Sequence, residues 1–166
     1  LRARGLSADD VKTVLVTHLH WDHANGFHLF KNARFLIQRK EVEYAIAPLP
    51  CHRSLYYEKD LGRPPFIDYL DRIELIDGDC EIEDGVKAVF LPSHSPGFQG
   101  VSVRTEQGDY FIAGDAVGLF ECWETVPHIP SGIFNNLEQY YESMKKISGF
   151  VLPGHDPKVF ERTVYP

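Results

Sequence analysis

Apolar residues run along this chain in short stretches, each closed by a polar or glycine-bearing turn, and the period within each stretch predicts the element it forms. "TVLVT" (13–17) and "ARFLIQ" (33–38) are β-branched and aliphatic runs of strand length. "DRIELI" (71–76), "VKAVFL" (86–91), "GVSVRT" (100–105) and "DYFIAG" (109–114) are separated by "DGD", "EDG", "SPG" and "EQG" turns and are expected to lie together as neighbours in a sheet. "FVLPG" (150–154) is a last short strand. Helical spacing shows in "RKEVEYAIA" (39–47), stopped by Pro48 and Pro50. It is clearest in "NLEQYYESMKKI" (136–147), where Leu137, Tyr140, Tyr141, Met144 and Ile147 share one face. Ser7 is placed to cap a short helix with Asp9 and Asp10 in its first turn, and residues 48–65, rich in proline, tyrosine and charge, read as an irregular insertion or cap.

Composition narrows the class without changing that map. With 166 residues, 43% hydrophobic, the chain suits one domain (1–166) better than two. Its net charge of -7 and 17 scattered basic residues offer no basic stripe for a phosphate backbone, so nucleic acid is not expected as a partner. No apolar run approaches the roughly 20 residues that span a bilayer, so no membrane association is expected. Cys51, Cys80 and Cys122 are odd in number, widely spaced and without a CxxC, which fits a reducing, cytoplasmic location. The chain starts at Leu1 inside what reads as a loop and short helix, so a fragment of a longer chain is expected.

The candidate chemistry sits where strands end. "HLHWDH" puts His18, His20, Asp22 and His23 directly behind the first strand. His94 follows another strand in "PSHSPG", Asp115 another in "AGDAVG", and His155 the last in "LPGHDP". Loops at one edge of a sheet can bring such residues together from distant positions. His18 and His20, two apart on an extended backbone, can point to one side toward one metal while Asp22 and His23 turn toward a second. Imidazoles and carboxylates without a cysteine ligand suit Zn²⁺, Fe²⁺, Mn²⁺ or Co²⁺ in a catalytic pair with open positions, rather than a closed structural zinc site.

These residues, in this order and with these small neighbours, resemble the metallo-β-lactamase superfamily over residues 7 to 156. The resemblance implies an α/β fold, the αβ/βα sandwich, here apparently lacking the N-terminal strands that precede the HxHxDH loop in the family. It implies two divalent ions, zinc first, with His18, His20 and His94 on one, Asp22, His23 and His155 on the other, and Asp115 between them. Two such ions about 3.5 to 4 Å apart can share a water, present it as hydroxide to a carbonyl or phosphoryl centre and stabilise the oxyanion. Asp22 is then the candidate catalytic proton shuttle.

Within the superfamily, "GLSADDVKTVLVTHLHWDHANG", "ARFLIQRKEVEYA" and "LPSHSPGFQGVSV" look like the lactonase-like branch that includes N-acyl-homoserine lactonases. The tyrosine common in that branch three residues after the bridging Asp falls here at Gly118. The implied activity is hydrolysis of a small-molecule lactone or ester. A thioester or phosphoester hydrolase is the alternative, and a metal-binding regulatory domain without turnover is the alternative of another class. A homodimer is compatible with this reading. The apolar stretch "VGLFECWETVPHIPSGIF" (117–134), with Phe120, Trp123 and His128, is a candidate substrate wall or else a cover over the core, and the aromatic insertion 55–69 is a second flank. Trp21 is expected to pack under the metal loop, and His28 and His52 to serve ordinary surface or core roles.

Overall fold

The computed structural model describes residues 1–165. The chain divides into two compact units, Leu1–Asp77 and Gly78–Pro166.

In the first unit, strands β1 (Thr13–Leu15), β2 (Arg34–Gln38) and β3 (Ile73–Ile76) form a parallel three-stranded sheet in the order β1-β2-β3, with Val14 opposite Phe35 and Phe35 opposite Ile73. Helices α1 (Trp21–Ala24), α2 (Arg39–Ile46) and α3 (Arg53–Tyr56) complete the unit with short 3₁₀ turns. The Ser7 start is confirmed, since its hydroxyl and its N–H both donate to Asp10 Oδ2, at 2.7 and 2.8 Å, although the turn it opens, Ala8–Asp10, is 3₁₀. Phe27, Phe35, Ile37, Val42, Tyr56 and Phe66 fill the core. The insertion is more ordered than the proline content suggested: α3 and the 3₁₀ segment Pro65–Arg72 bring Tyr56 and Phe66 inward.

In the second unit, β4 (Cys80–Glu83), β5 (Val86–Phe90), β6 (Gln99–Thr105), β7 (Gly108–Gly114) and β8 (Phe150–Pro153) form one sheet in sequence order. All pairings are antiparallel except β7 with β8, whose crossover carries α4 (Phe120–Glu124) and α5 (Leu137–Met144). Phe98, Phe111, Tyr140, Met144 and Val151 pack in its core. Two expectations need correction. The 71–76 strand does not join the later strands: β4 takes the place beside β5 through the Asp84-Gly85 turn, where Gly85 has φ 78°, and β3 pairs with β2 instead. On α5, Leu137 is 46% exposed and Ser143 lies inward, its hydroxyl donating to Pro92 O at 3.0 Å.

Strand direction positions the chemistry. β5 and β7 each pair antiparallel with β6, so they run the same way, and β8 runs parallel to β7. The C-terminal ends of β5, β7 and β8 therefore lie at one edge, and there the loops bearing His94, Asp115 and His155 begin. In the first unit β1 and β2 are parallel, so the HxHxDH loop and the start of α2 share an edge in the same way. Among the described residues no helix is long and apolar enough to cross a membrane, and all three cysteines are free.

Candidate metal centre

In the Leu1–Asp77 unit the HxHxDH loop leaves β1 with an extended backbone, His20 having φ -63° and ψ 146°, and turns into the single helical turn α1. His18 and His20 are buried, 0% and 4% exposed, and so is Leu19 between them at 2%. The helical turn then presents Asp22 and His23. The His18 ring centroid lies 4.4 Å from that of His20 and 4.3 Å from that of His23, and the ligand atoms of His18 approach those of both within 4.8 Å. Asp22 Oδ2 is 3.3 Å from His23 Nε2 on the more exposed side. Thr17 Oγ1, 3.1 Å from His18 Nδ1, occupies the ring nitrogen away from Nε2.

Two residues support this loop from behind: Glu41, which no motif singles out, and Tyr56, which lies in the 55–69 stretch expected to flank the site. Glu41, in the first turn of α2 and fully buried, accepts the Leu19 N–H at 2.9 Å and the Tyr56 hydroxyl at 3.2 Å. The Tyr56 ring meets His20 edge-on at 4.7 Å. The only available signal was position: a glutamate on the same inward face as Val42 and Ala45.

Trp21 corrects the expectation of a packed residue. It is 55% exposed and lines a cavity of about 270 Å³ with Asn25, Ser54, Tyr57, Glu58 and Pro65. Trp21 is the first residue of the single helical turn α1, directly after the extended His20, and a helix this short has no repeating buried face to draw it inward. His28 and His52 keep ordinary roles, His28 Nδ1 against Asn25 O at 3.1 Å and His52 Nδ1 against the Tyr44 hydroxyl at 2.6 Å.

In the Gly78–Pro166 unit, one carboxylate collects two imidazoles. His94 Nε2 is 3.4 Å from Asp115 Oδ2, and His155 Nε2 is 3.2 Å from each Asp115 oxygen. His94 and Asp115 are buried, whereas the His155 side chain is half-exposed. His94 Nδ1 lies 2.8 Å from Ile133 O and 3.1 Å from Ser131 Oγ, which in turn donates to the same carbonyl. A carbonyl only accepts, so Nδ1 carries a proton, and in the neutral ring Nε2 presents its lone pair toward Asp115. A lone pair and a carboxylate oxygen held 3.4 Å apart repel unless a positive charge is shared between them, which a divalent ion supplies. The donor chemistry thus fits a metal.

The backbone around Asp115 is fitted as closely. A Cβ on Gly154 falls 2.7 Å from Gly114 C and 2.8 Å from Asp115 Oδ1, so only glycine lets the His155 loop pass this carboxylate. Gly154 N–H bonds Gly114 O, and His155 N–H bonds Gly118 O, both at 3.0 Å. Asp156, buried beside them, accepts the Phe120 and Lys158 N–H groups at 2.9 Å, and these bonds hold its carboxyl below the usual range.

The 117–134 stretch divides. Phe120 faces Phe150, with ring centroids 6.5 Å apart. Trp123 stacks on His128 at 4.3 Å with planes 5° apart, and His128 Nδ1 donates to Trp123 O at 2.6 Å. Phe120 borders a hollow with Phe150 and Tyr165, and His128 a separate one with Tyr141 and Met144. The stretch reaches the ligand set through Ser131 and Ile133, residues the sequence reading missed because one acts through its backbone.

A family model described as "Metallo-beta-lactamase superfamily" matches residues 1–159. This chain belongs to that superfamily. Among curated members, an N-acyl homoserine lactonase of Bacillus thuringiensis is 32% identical over 161 residues, covering 94% of this chain and 60% of the relative. One from Azorhizobium caulinodans is 30% identical, covering 95% and 62%. A solved superfamily structure, an N-acyl homoserine lactone hydrolase with the product N-hexanoyl-L-homoserine at its catalytic metal centre, is similar with TM-score 0.73 and 27% identity, covering 97% of this chain and 62% of that one. The chain spans about three-fifths of the length of the superfamily relatives it matches.

Proposed function

We propose that this chain carries the metal centre of a metal-dependent hydrolase that opens a lactone or ester, an N-acyl-homoserine lactone being the first substrate to try. The observation carrying the proposal is Asp115, a buried carboxylate with His94 Nε2 at 3.4 Å and His155 Nε2 at 3.2 Å, a bridging arrangement that a structural zinc site does not need. The order of ligands along the chain supports the family's assignment: His18, His20 and His94 to one metal, Asp22, His23 and His155 to a second, Asp115 to both. Zinc is the first choice for both positions.

A bound divalent pair supplies polarisation of the carbonyl and activation of water at neutral pH. The chain's own residues do the rest. Ser131 and Ile133 fix the His94 ring so that Nε2 faces inward. Asp22, half-exposed at the start of α1, can carry a proton between the centre and a leaving alkoxide. Trp21 and the cavity it shares with Tyr57 and Pro65 offer an apolar wall beside the ligand loop for an uncharged substrate body. Trp123 and His128 brace the stretch that carries Ser131, and Phe120 anchors its start.

Gly118 favours a second reading. A Cβ at this position meets no atom within 4 Å, so the absence of a side chain is not forced by a clash at its first atom, and a thioester or phosphoester fits a centre without the lactonase tyrosine's hydroxyl. The test is a panel of N-acyl-homoserine lactones, thioesters and phosphodiesters offered to the zinc-loaded protein, with metal content measured in parallel. Lactone opening, abolished by a chelator and restored by zinc, is the expected result. Turnover of thioester or phosphodiester alone moves the protein to the second reading, and full metal with no turnover makes it a binding domain.

A further inference from the structure

The loop holding His18 and His20 has little intrinsic reason to keep its shape, since it leaves a strand of only three residues and ends in a single helical turn. Between the two histidines stands Leu19, whose side chain is 2% exposed and whose peptide N–H is not used in any strand ladder. That N–H is taken by the buried carboxylate of Glu41, which arrives from α2. Burying a carboxylate is costly unless hydrogen bonds compensate, and a bond to an ionised acceptor is roughly twice as strong as one between neutral groups. The fold thus places its one buried glutamate of the first unit where it grips the peptide joining two ligands.

The same oxygen also receives the Tyr56 hydroxyl at 3.2 Å. Tyr56 is 1% exposed, and its ring stands against His20 at 72°, 4.7 Å between centroids. Glu41 therefore reaches the ligands by two routes: through the Leu19 peptide it sets the backbone from which both imidazoles project, and through Tyr56 it fixes the wall against which His20 turns. Because β1 and β2 are parallel, α2 begins at the same edge as the loop, so the contact spans 22 residues of sequence by a short spatial path.

We propose that Glu41, with Tyr56, is the positioning residue that pre-orients His18 and His20 for metal, an inference that rests on reading those histidines as ligands. It touches neither substrate nor metal; its effect is on the geometry and affinity of the site. The outer partners of metal ligands typically account for about 10- to 100-fold in affinity.

The experiment compares wild type with Glu41→Ala, Glu41→Gln, Tyr56→Phe and, as a control on the exposed face of the same helix, Glu43→Gln. Zinc affinity is read by competition with a chromophoric chelator. Ligand geometry is read from the visible absorption of the cobalt-loaded protein, and folding of the metal-free protein from far-UV circular dichroism. Glu41→Ala is expected to lose about 10- to 100-fold in zinc affinity. Glu41→Gln, which keeps the shape but not the charge, loses less, and Tyr56→Phe loses least. The cobalt bands shift in the same order, and Glu43→Gln matches wild type. If Glu41→Ala does not fold, Glu41→Gln decides. A folded Glu41→Gln with wild-type zinc affinity and a wild-type cobalt spectrum overturns the role of Glu41. A wild-type protein that takes up no metal overturns the ligand reading and this inference with it.

Discussion

The two units gather their candidate ligands by opposite strategies. In Leu1–Asp77, four candidate ligands come from six consecutive residues, and the turn that presents them is local. In Gly78–Pro166, three candidate ligands come from the ends of three strands, and the two imidazoles meet at one carboxylate. A local cluster keeps its members near one another whatever the rest of the chain does, so it needs only orientation, which Glu41, Tyr56 and Thr17 provide. A convergent cluster depends on the register of the whole sheet, on a glycine at the point of closest approach, and on one residue common to all its contacts. Each should therefore fail differently.

The largest difference is expected for the carboxylates. Asp115→Ala removes the group that both His94 and His155 face and should lower zinc affinity by more than about 100-fold, above the usual cost of losing a supporting partner. Asp22→Ala removes a half-exposed member of the local cluster and should cost less, with His18, His20 and His23 still grouped. Equal losses, by isothermal titration or bound-metal analysis, would erase the distinction. Backbone fit gives the next contrast. Gly154→Ala forces a methyl into Gly114 and Asp115 and should destabilise the protein by about 1–3 kcal/mol. Gly26→Ala, just past the local cluster, has only Leu29 Cδ1 near, at 3.9 Å, and should leave the melting temperature almost unchanged.

The smallest effect is expected where the second unit is tied to its own helix. Asp79 accepts from Lys146 Nζ and from the Phe90 N–H, both at 2.8 Å. Burial pushes its carboxyl upward, but these bonds together outweigh it and leave the group below its ordinary 3.8. A carboxyl lowered in the folded state contributes stability above its unfolded value and loses it as pH falls through the folded one. Wild type should exceed Asp79→Asn by less than about 1 kcal/mol near pH 6, given the exposure of the pair, and the two should converge in denaturant titrations as pH falls below 3.8 and through the lowered folded value. A gap that persists in acid would assign the difference to packing.

What the sequence made legible follows the same division. The HxHxDH loop stood out because its candidate ligands are nearly contiguous, and His94, Asp115 and His155 because each follows an apolar run with small residues beside it. The supports could not. Glu41 sits in an ordinary helical pattern and acts across 22 residues, and Ile133 acts through a carbonyl that every residue possesses. β4 escaped because "CEIE" is four residues long and alternates charge with half-buried side chains, so its turn-like flanks dominated. Trp21 was misjudged because it opens a single helical turn, too short to carry a period from which its facing could be read.

The strand directions of the second unit carry one more consequence, for handling the molecule. The Asp84-Gly85 turn precedes β5 and the Glu106-Gln107 turn precedes β7, so both lie at the ends of those strands opposite the ones that lead to His94 and Asp115. Strands of this length separate the two rims by about 20 Å. Exposed hairpin tips of this kind tolerate insertion and attachment better than any other part of a sheet. A fluorophore, an affinity peptide or a surface tether fixed at either tip leaves this unit's ligand-bearing rim pointing outward, toward whatever solution the immobilised protein is asked to work in.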